Sequence, residues 1–238
     1  MRPQYLCAVV LRPGNVTTAA VGILRRLIAL FRSSFPKTRI RVRLDSGFAN
    51  PELPTFLDGE LGVEFVVAMA GNAVLNCKAE EDMQVARPLA GRTDRTEHVY
   101  VEARYAAGIW EQERRVIIKA EVVRAEDKVP KDNSRFVITN MKLTPQWPYE
   151  EVYGQRGEIE NRIKELHAME VDRTSCGRFW ANQFRVLLTA AYVLMQELRL
   201  CAAGTNCARA QVWNLRERFL KLGARLMVSV RRMAVHLT

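Results

Sequence analysis

The sequence predicts an α/β fold in which helices flank a mixed β-sheet. Residues 39–45 alternate basic and apolar side chains, residues 19–35 carry apolar side chains at helical spacing, and residues 63–69 form a short apolar run. Alternation with a period of two is typical of a half-buried strand, and a short continuous apolar run is typical of a buried one. Strands and helices that follow one another in this way indicate a largely parallel sheet covered by helices.

The N-terminal part of the chain supplies the elements of this sheet in order. Residues 5–11, YLCAVVL, are an apolar run of strand length, and residues 12–15, RPGN, predict a turn after it. The helix of residues 19–35 is expected to end before Pro36, which cannot continue it. Residues 51–60, PELPTFLDGE, predict a short helix between the second and third strands.

The middle of the chain predicts antiparallel strands. Three strand-like runs are joined by polar turns with no long helix between them: HVYVEARYAA, RRVIIKAEVV and SRFVITNM. The run EDKVPKDN predicts a hairpin connection or a loop. We therefore expect residues 1–69 to form the N-terminal part of the core, residues 70–148 a β-rich insertion, and residues 149–238 a helical C-terminal part.

The C-terminal part predicts three helices. Residues 151–170 predict the first, and residues 178–202 predict a longer, nearly all-apolar helix that would lie in the core together with Trp180. Residues 208–232 predict a final helix, although residues 225–237 are ambiguous between a helix end and a strand.

Charge is unevenly spread along the chain. The net charge is +10, and the first fifty residues contain nine Lys or Arg against a single acid. Residues 51–150 carry thirteen basic and seventeen acidic side chains, and residues 151–238 carry fourteen and eight. Basic ends around a mildly acidic middle are compatible with a polyanion partner such as nucleic acid, and also with an ordinary basic surface.

Several kinds of site and segment are not expected. The chain has no apolar stretch of about 18 residues, so no membrane span is predicted, and its N-terminus lacks the pattern of a signal peptide. The five cysteines lie apart without C-x-x-C spacing, which argues against a zinc site or a disulfide framework and favours reduced thiols in the cytoplasm. Neither glycine-rich phosphate-loop pattern occurs.

The stretch RVRLDSGF, residues 41–48, ends an alternating strand on Asp45 and then turns at once. Asp, Ser and Gly are ordinary turn residues, so a tight turn explains them. A carboxylate at the tip of a buried strand can also bind a hard metal ion. Both interpretations stay open on this stretch alone.

A second group of polar side chains shares one face of the helix predicted for residues 151–170. With successive spacings of three, four, four and three residues, its members fall within an arc of about 80°. The group consists of Tyr153, Arg156, Glu160, Lys164 and His167. The neighbours expected to pack this helix down are Ile159, Ile163 and Leu166, and those expected to face water are Glu158, Asn161, Arg162 and Glu165.

Two interpretations of this polar face compete. Pairs of opposite charge at i and i+4, such as Arg156–Glu160 and Glu160–Lys164, are common on solvated helices. Alternatively, Glu160 binds a divalent metal ion while the surrounding cations bind phosphates, for which Arg is suited to bidentate contact and Lys as a point charge.

Together these segments resemble insertion-sequence transposases of the DDE type. The run Y-x-x-R-x-x-x-E of Tyr153, Arg156 and Glu160, within YGQRGEIENRIKEL, is similar to the signature of one branch of that family. The segments LRPGN, RVRLDSGF, RYAAGIW, RFVITN and RFWANQFRVLLTAAYVL are similar to others of its segments. The resemblance covers essentially the whole chain.

The resemblance implies an RNase H-like fold with a mixed sheet, flanking helices and a β-rich insertion. It implies two Mg²⁺ (or Mn²⁺) ions held by Asp, Asp and Glu, of which Asp45 corresponds to the second Asp and Glu160 to the Glu. Tyr153 and Arg156 correspond to residues that contact DNA phosphates near the metals. The implied partners are DNA at transposon ends and further copies of the chain, in the cytoplasm of a bacterium and associated with its nucleoid.

Two departures from the family's pattern affect these expectations. His167 stands where the signature has a Lys, and a neutral His is a poorer phosphate contact, for which Lys164 can partly compensate. No Asp or Glu precedes Asp45, so the first Asp is missing and the chain is expected to be an N-terminally truncated transposase with an incomplete, inactive site. The alternative is a non-catalytic DNA-binding or dimerising remnant.

Overall fold

The computed structural model describes residues 5–11, 19–108, 110–125, 128–168, 175–188, 192–221 and 223–237. The chain divides into two compact units: a larger one, Gly14–Gly157, and a smaller one made of Met1–Pro13 and Glu158–Thr238. The helices and the mixed sheet confirm the predicted α/β class, which is consistent with an RNase H-like fold.

The larger unit contains the sheet and most of the helices that were expected around it. Its elements are α1 (Ala19–Ser34), β1 (Ile40–Leu44), α2 (Glu52–Gly59), β2 (Val63–Met69), α3 (Ala73–Thr93), β3 (Glu97–Tyr105), β4 (Arg114–Val123), β5 (Lys131–Asp132) and β6 (Arg135–Thr139). A π-helical turn (Pro148–Tyr153) and a 3-10 turn (Gly154–Arg156) follow. The first two helices and the strands at 39–45 and 63–69 are thus confirmed.

The strands form one mixed sheet in the order β1-β2-β6-β4-β3, with β5 paired to β4. Strands β1 and β2 are parallel, whereas β6 pairs antiparallel with both β2 and β4, and β3 pairs antiparallel with β4. The three strands predicted between residues 70 and 148 therefore join the sheet through β6. The division into a core and an insertion stays a prediction.

Helices cover one face of this sheet. The main core joins Val21 and Ile28 of α1, Leu57 of α2 and Leu75 of α3 to the strand residues Phe65, Val67, Val116 and Ile138. Helix α3 was not assigned from the sequence, because its buried stripe consists largely of alanines: Leu75, Ala79, Met83, Ala86 and Ala90. On the opposite face, the π-helical turn packs Tyr149 and Val152 against Val66, Ile117 and Val137.

The smaller unit has a helical core and a terminal hairpin. Its elements are α4 (Gly157–Ala168), α5 (Phe179–Leu187), α6 (Tyr192–Cys201), a 3-10 turn (Asn206–Arg209), α7 (Val212–Leu215), a second π-helical turn (Arg216–Leu220), β7 (Ala224–Ser229) and β8 (Arg232–Leu237). Its buried cluster is formed by Tyr192, Met195, Cys207, Val212 and Leu215.

Three local predictions are wrong. Residues 5–11 form no strand: Leu6 packs on the buried cluster of the smaller unit, and the amide of Leu11 donates to Gln183 Oε1 at 3.0 Å. The final helix predicted for residues 208–232 is also wrong in extent, because helical structure ends at Leu220. The residues left open between helix end and strand, 225–237, form the hairpin β7–β8.

The third error concerns the long apolar helix. Within its described residues, α5 buries no side chain, and Trp180 is 78 % exposed rather than in the core. Helix α6 does contribute core residues, Tyr192 and Met195. Residues 189–191, which would join the two helices, lie outside the described residues.

Candidate functional site

Asp45 directly follows the C-terminal end of β1. Its backbone remains extended (φ −81°, ψ 170°), and its Oδ1 accepts a hydrogen bond from the amide of Ser46 at 2.7 Å, which caps the 3-10 turn Ser46–Phe48. The carboxylate therefore stops the strand and starts the turn, as the composition of this stretch predicted. This bond also restricts the orientation of the carboxylate.

Asp45 and Tyr153 line the same cleft, whose volume is about 290 Å³. The cleft lies in the larger unit, at the edge where the parallel strands β1 and β2 end and β6 begins. Its other polar lining residues are Ser46, Asn133, Ser134, Arg135 and Tyr149. The carboxyl ends of parallel strands are the usual position of ligand sites in α/β sheets, since the connections there diverge and leave a crevice.

Arg43 connects β1 to the π-helical turn on the other side of the cleft. Its Nη1 donates to the carbonyl of Val152 at 2.8 Å. Because Val152 immediately precedes Tyr153, this bond helps to hold the tyrosine beside the strand that carries Asp45.

Aromatic rings continue the cleft wall away from Tyr153. The ring of Tyr149 lies 5.4 Å from that of Tyr153 and 5.3 Å from that of Tyr100, measured between centroids. Burial raises the pKa of Tyr149 to about 12, and the nearby Arg135 partly opposes this rise. The Tyr149 hydroxyl therefore stays protonated at neutral pH and keeps a proton to donate.

Strand β4 carries a charged pair that is bound to Asn133, one of the residues that line the cleft. Glu121 binds the ammonium of Lys119 and accepts a hydrogen bond from Asn133 Nδ2 at 2.6 Å. Burial favours the neutral form of Glu121, but these partners outweigh it, so its pKa lies below the usual value.

The face predicted on residues 151–170 is divided by changes of helix type. Tyr153 ends a π-helical turn, Arg156 ends a 3-10 turn, and the α-helix starts only at Gly157. The angle of 100° per residue does not hold across these changes, so the single α-helical face from Tyr153 is wrong. On α4 itself, Glu160, Lys164 and His167 share one exposed face. The side chain of Arg156 lies outside the described residues.

The expected packing of α4 also needs correction. Leu166 packs on the buried cluster as predicted, whereas Ile159 and Ile163 are exposed. Glu165, expected to face water, is buried and accepts hydrogen bonds from Tyr192 (2.5 Å), Arg162 (2.8 Å) and Arg199 (2.6 Å). Burial alone would raise the pKa of Glu165, but the bonds from Arg199 and Tyr192 and the charges of Arg199 and Arg162 lower it overall.

Comparison with known protein families decides the identity of the chain. The family model described as Transposase DDE domain group 1 matches residues 3–238. The chain belongs to the DDE transposase family. No curated protein gives a significant match.

Membership of this family has consequences for the chemistry of the chain. It confirms the resemblance read from the sequence and implies DNA as a partner and transposition as the process. DDE transposase domains generally depend on divalent metal ions, a dependence that family membership implies without identifying the metal. None of the helices in the described part of the chain combines the length and apolarity that a bilayer crossing needs.

The DDE domain brings some of its predicted site residues together in the larger unit. Asp45 and Tyr153 share a cleft, while Glu160, Lys164 and His167 belong to α4 and the smaller unit. In the described residues, no three His, Cys, Asp or Glu side chains converge as a metal-binding group. The sequence did not indicate Arg135, Tyr149 and Asn133 as cleft residues, because the segments around them predicted only strands and loops.

Proposed function

We propose that this DDE domain acts in metal-dependent cleavage and transfer of DNA strands at insertion-sequence ends. The observation that carries the proposal is the polar cleft shared by Asp45 and Tyr153 at the carboxyl end of β1, in a chain matched almost throughout by the transposase family. A carboxylate and a hydroxyl facing one cleft suit a site that handles a metal-associated phosphodiester.

Asp45 and Glu160 would hold Mg²⁺ or Mn²⁺, because carboxylate oxygens are the ligands that these hard cations prefer. When bound, such an ion supplies positive charge at a phosphate and lowers the pKa of a coordinated water. The chain's own contribution at Asp45 is orientation, since the amide of Ser46 binds one carboxylate oxygen.

Tyr153, Arg156, Lys164 and His167 would contact DNA phosphates. Tyr153 offers a hydroxyl in the cleft, while Lys164 and His167 are exposed one above the other on α4. Lys164 offers its amino group and His167 a ring N–H as donors to phosphate oxygens.

The 238-residue chain by itself is expected to cleave DNA poorly. Asp45 is its first acidic residue, so only two of the family's three carboxylates are assigned. A Mg²⁺-dependent nicking assay on supercoiled plasmid tests this expectation. Strong nicking that disappears in Asp45→Ala would show that the assigned carboxylates suffice.

Metal binding can be measured without turnover. Mn²⁺ binding followed by electron paramagnetic resonance should weaken in Asp45→Asn and in Glu160→Gln but not in Glu158→Gln. Glu158 is a suitable control because it precedes Glu160 by two residues on α4. Equal Mn²⁺ binding by all four proteins would remove the assignment of Asp45 and Glu160 as ligands.

A second candidate function is DNA binding without catalysis. It is favoured by the absence of a converging group of three ligand side chains among the described residues, together with the net charge of +10. Salt-dependent DNA binding with neither nicking nor Mn²⁺ binding would support it. No binding to DNA at low salt would contradict both candidates.

A further inference from the structure

Arg135 brings a positive charge to the cleft. It opens strand β6, its side chain is exposed, and it lines the same cleft as Asp45 and Tyr153. Among the residues that the structure describes, none forms a hydrogen bond or an ion pair with its guanidinium. The N–H groups of the Arg135 guanidinium can therefore donate hydrogen bonds to a ligand in the cleft.

Arg135 is paired with another cation in the sheet. In the antiparallel pair β4–β6, Arg135 lies directly opposite Lys119. Like charges in directly opposite positions destabilise a sheet. Glu121 is bound to Lys119, and its carboxylate also attracts the charge of Arg135. One carboxylate thus offsets two cations, and the pair keeps a surplus positive charge that a ligand in the cleft can use.

The segment that leads into Arg135 is held in place. The amide of Asn133 donates to the carbonyl of Glu121 at 2.8 Å, and Asn133 Nδ2 donates to Glu121 Oε2 at 2.6 Å. These bonds attach the start of β6 to β4 just before Arg135. An arginine on an anchored segment loses less backbone freedom when it binds a ligand.

A guanidinium in this setting suits a phosphodiester. Its planar set of donors can make two parallel hydrogen bonds to phosphate oxygens. Its positive charge also offsets the repulsion between a phosphate and the carboxylate of Asp45 in the same cleft. Hydroxyls of Ser134 and Tyr153 line the cleft beside it as further donors.

We infer that Arg135 is a DNA-phosphate contact of the Asp45 cleft, contributed by strand β6. The inference rests on the proposed function, since it assumes that DNA enters this cleft. It adds to the proposed DNA contacts a residue that lies outside the 151–170 segment. Part of the DNA backbone would then contact the sheet.

The experiment measures DNA affinity against salt concentration. A fluorescently labelled DNA duplex of random sequence is titrated with wild type, Arg135→Ala, Arg135→Lys and Arg92→Ala at about 50 to 200 mM salt. Arg92 is the matched control: it is an exposed arginine in the last turn of α3, which packs on the opposite face of the sheet. Circular dichroism and thermal melting establish that each variant is folded.

Loss of one phosphate contact lowers the slope of log K against log salt by about 0.9, which corresponds to an affinity loss of about eightfold at about 0.1 M salt. We expect this result for Arg135→Ala, a normal slope for Arg135→Lys with weaker affinity, and no change for Arg92→Ala. Should Arg135→Ala fail to fold, Arg135→Gln replaces it, and Arg135→Lys still tests the bidentate contact.

The outcomes separate this inference from the proposed function. If the wild type shows no salt-dependent binding, the proposed function fails and the inference fails with it. If the wild type binds and the Arg135 variants bind as well as it does, only the inference fails. Equal losses in Arg135→Ala and Arg92→Ala would also overturn it, because net charge and not the cleft would then determine affinity.

Discussion

Removal of the Glu165 carboxylate should destabilise the smaller unit strongly. The side chain is only 9 % exposed, and it binds Arg199 at 2.6 Å and Tyr192 at 2.5 Å. In Glu165→Ala, the hydroxyl of Tyr192 and the guanidinium of Arg199 lose the carboxylate, so the largely buried charge of Arg199 is left without an anionic partner.

The expected loss of stability in Glu165→Ala depends on the hydrogen bonds that Arg199 keeps. Removing one member of a buried ion pair costs about 3–5 kcal/mol. Arg199 also donates to the carbonyl of Ala210 from Nε at 3.0 Å and from Nη2 at 2.8 Å, and these bonds persist in the variant. We therefore expect a loss near the lower end, about 3 kcal/mol.

Urea unfolding followed by helical circular dichroism measures this loss. Glu160→Ala is the matched control, because it removes an exposed glutamate from the same helix and should change stability by no more than about 0.5 kcal/mol. Arg199→Met and the double variant complete a cycle in which the two changes should be far from additive. Equal effects of Glu165→Ala and Glu160→Ala would refute the reasoning.

Three further predictions follow from the same structure. The folded-state pKa of Glu165 is lowered, so the stability that this carboxylate gives the protein should be full above its usual pKa near 4.5 and should be lost as the pH falls through the lowered pKa. Urea unfolding at several pH values measures this dependence, and Glu165→Gln should reduce it. Asp45→Asn should weaken Mn²⁺ binding by electron paramagnetic resonance with little change in melting temperature, because asparagine can still cap the turn after β1. Asn72→Ala should lower the free energy of unfolding, measured in urea, by about 1–2 kcal/mol. The Asn72 side chain accepts a hydrogen bond from the amide of Leu75 at 3.0 Å, which caps α3, and donates one to the Tyr105 hydroxyl at 2.9 Å. An unchanged midpoint of unfolding would contradict this role.

Much of the larger unit could be predicted from local patterns. The alternation of residues 39–45 predicted β1 (Ile40–Leu44), and the apolar run 63–69 predicted β2. The pairing of β6 with both β2 and β4 could not be predicted, because it joins residues far apart in the chain and no local period encodes it. For the same reason, the sequence indicated Asp45 and Tyr153 but not the cleft they share with Arg135.

The sequence by itself determined the family, the α/β class, the basic charge of the ends and the turn at Asp45, since each depends on residue types and short spacings. Tertiary structure decided which polar groups are buried and which meet in a cleft. Glu165 illustrates the difference: a helical wheel places it on the wet side, but its partners Tyr192 and Arg199 arrive from α6, 27 and 34 residues later. Burial of a charge depends on such distant partners, because only they can compensate for the loss of water.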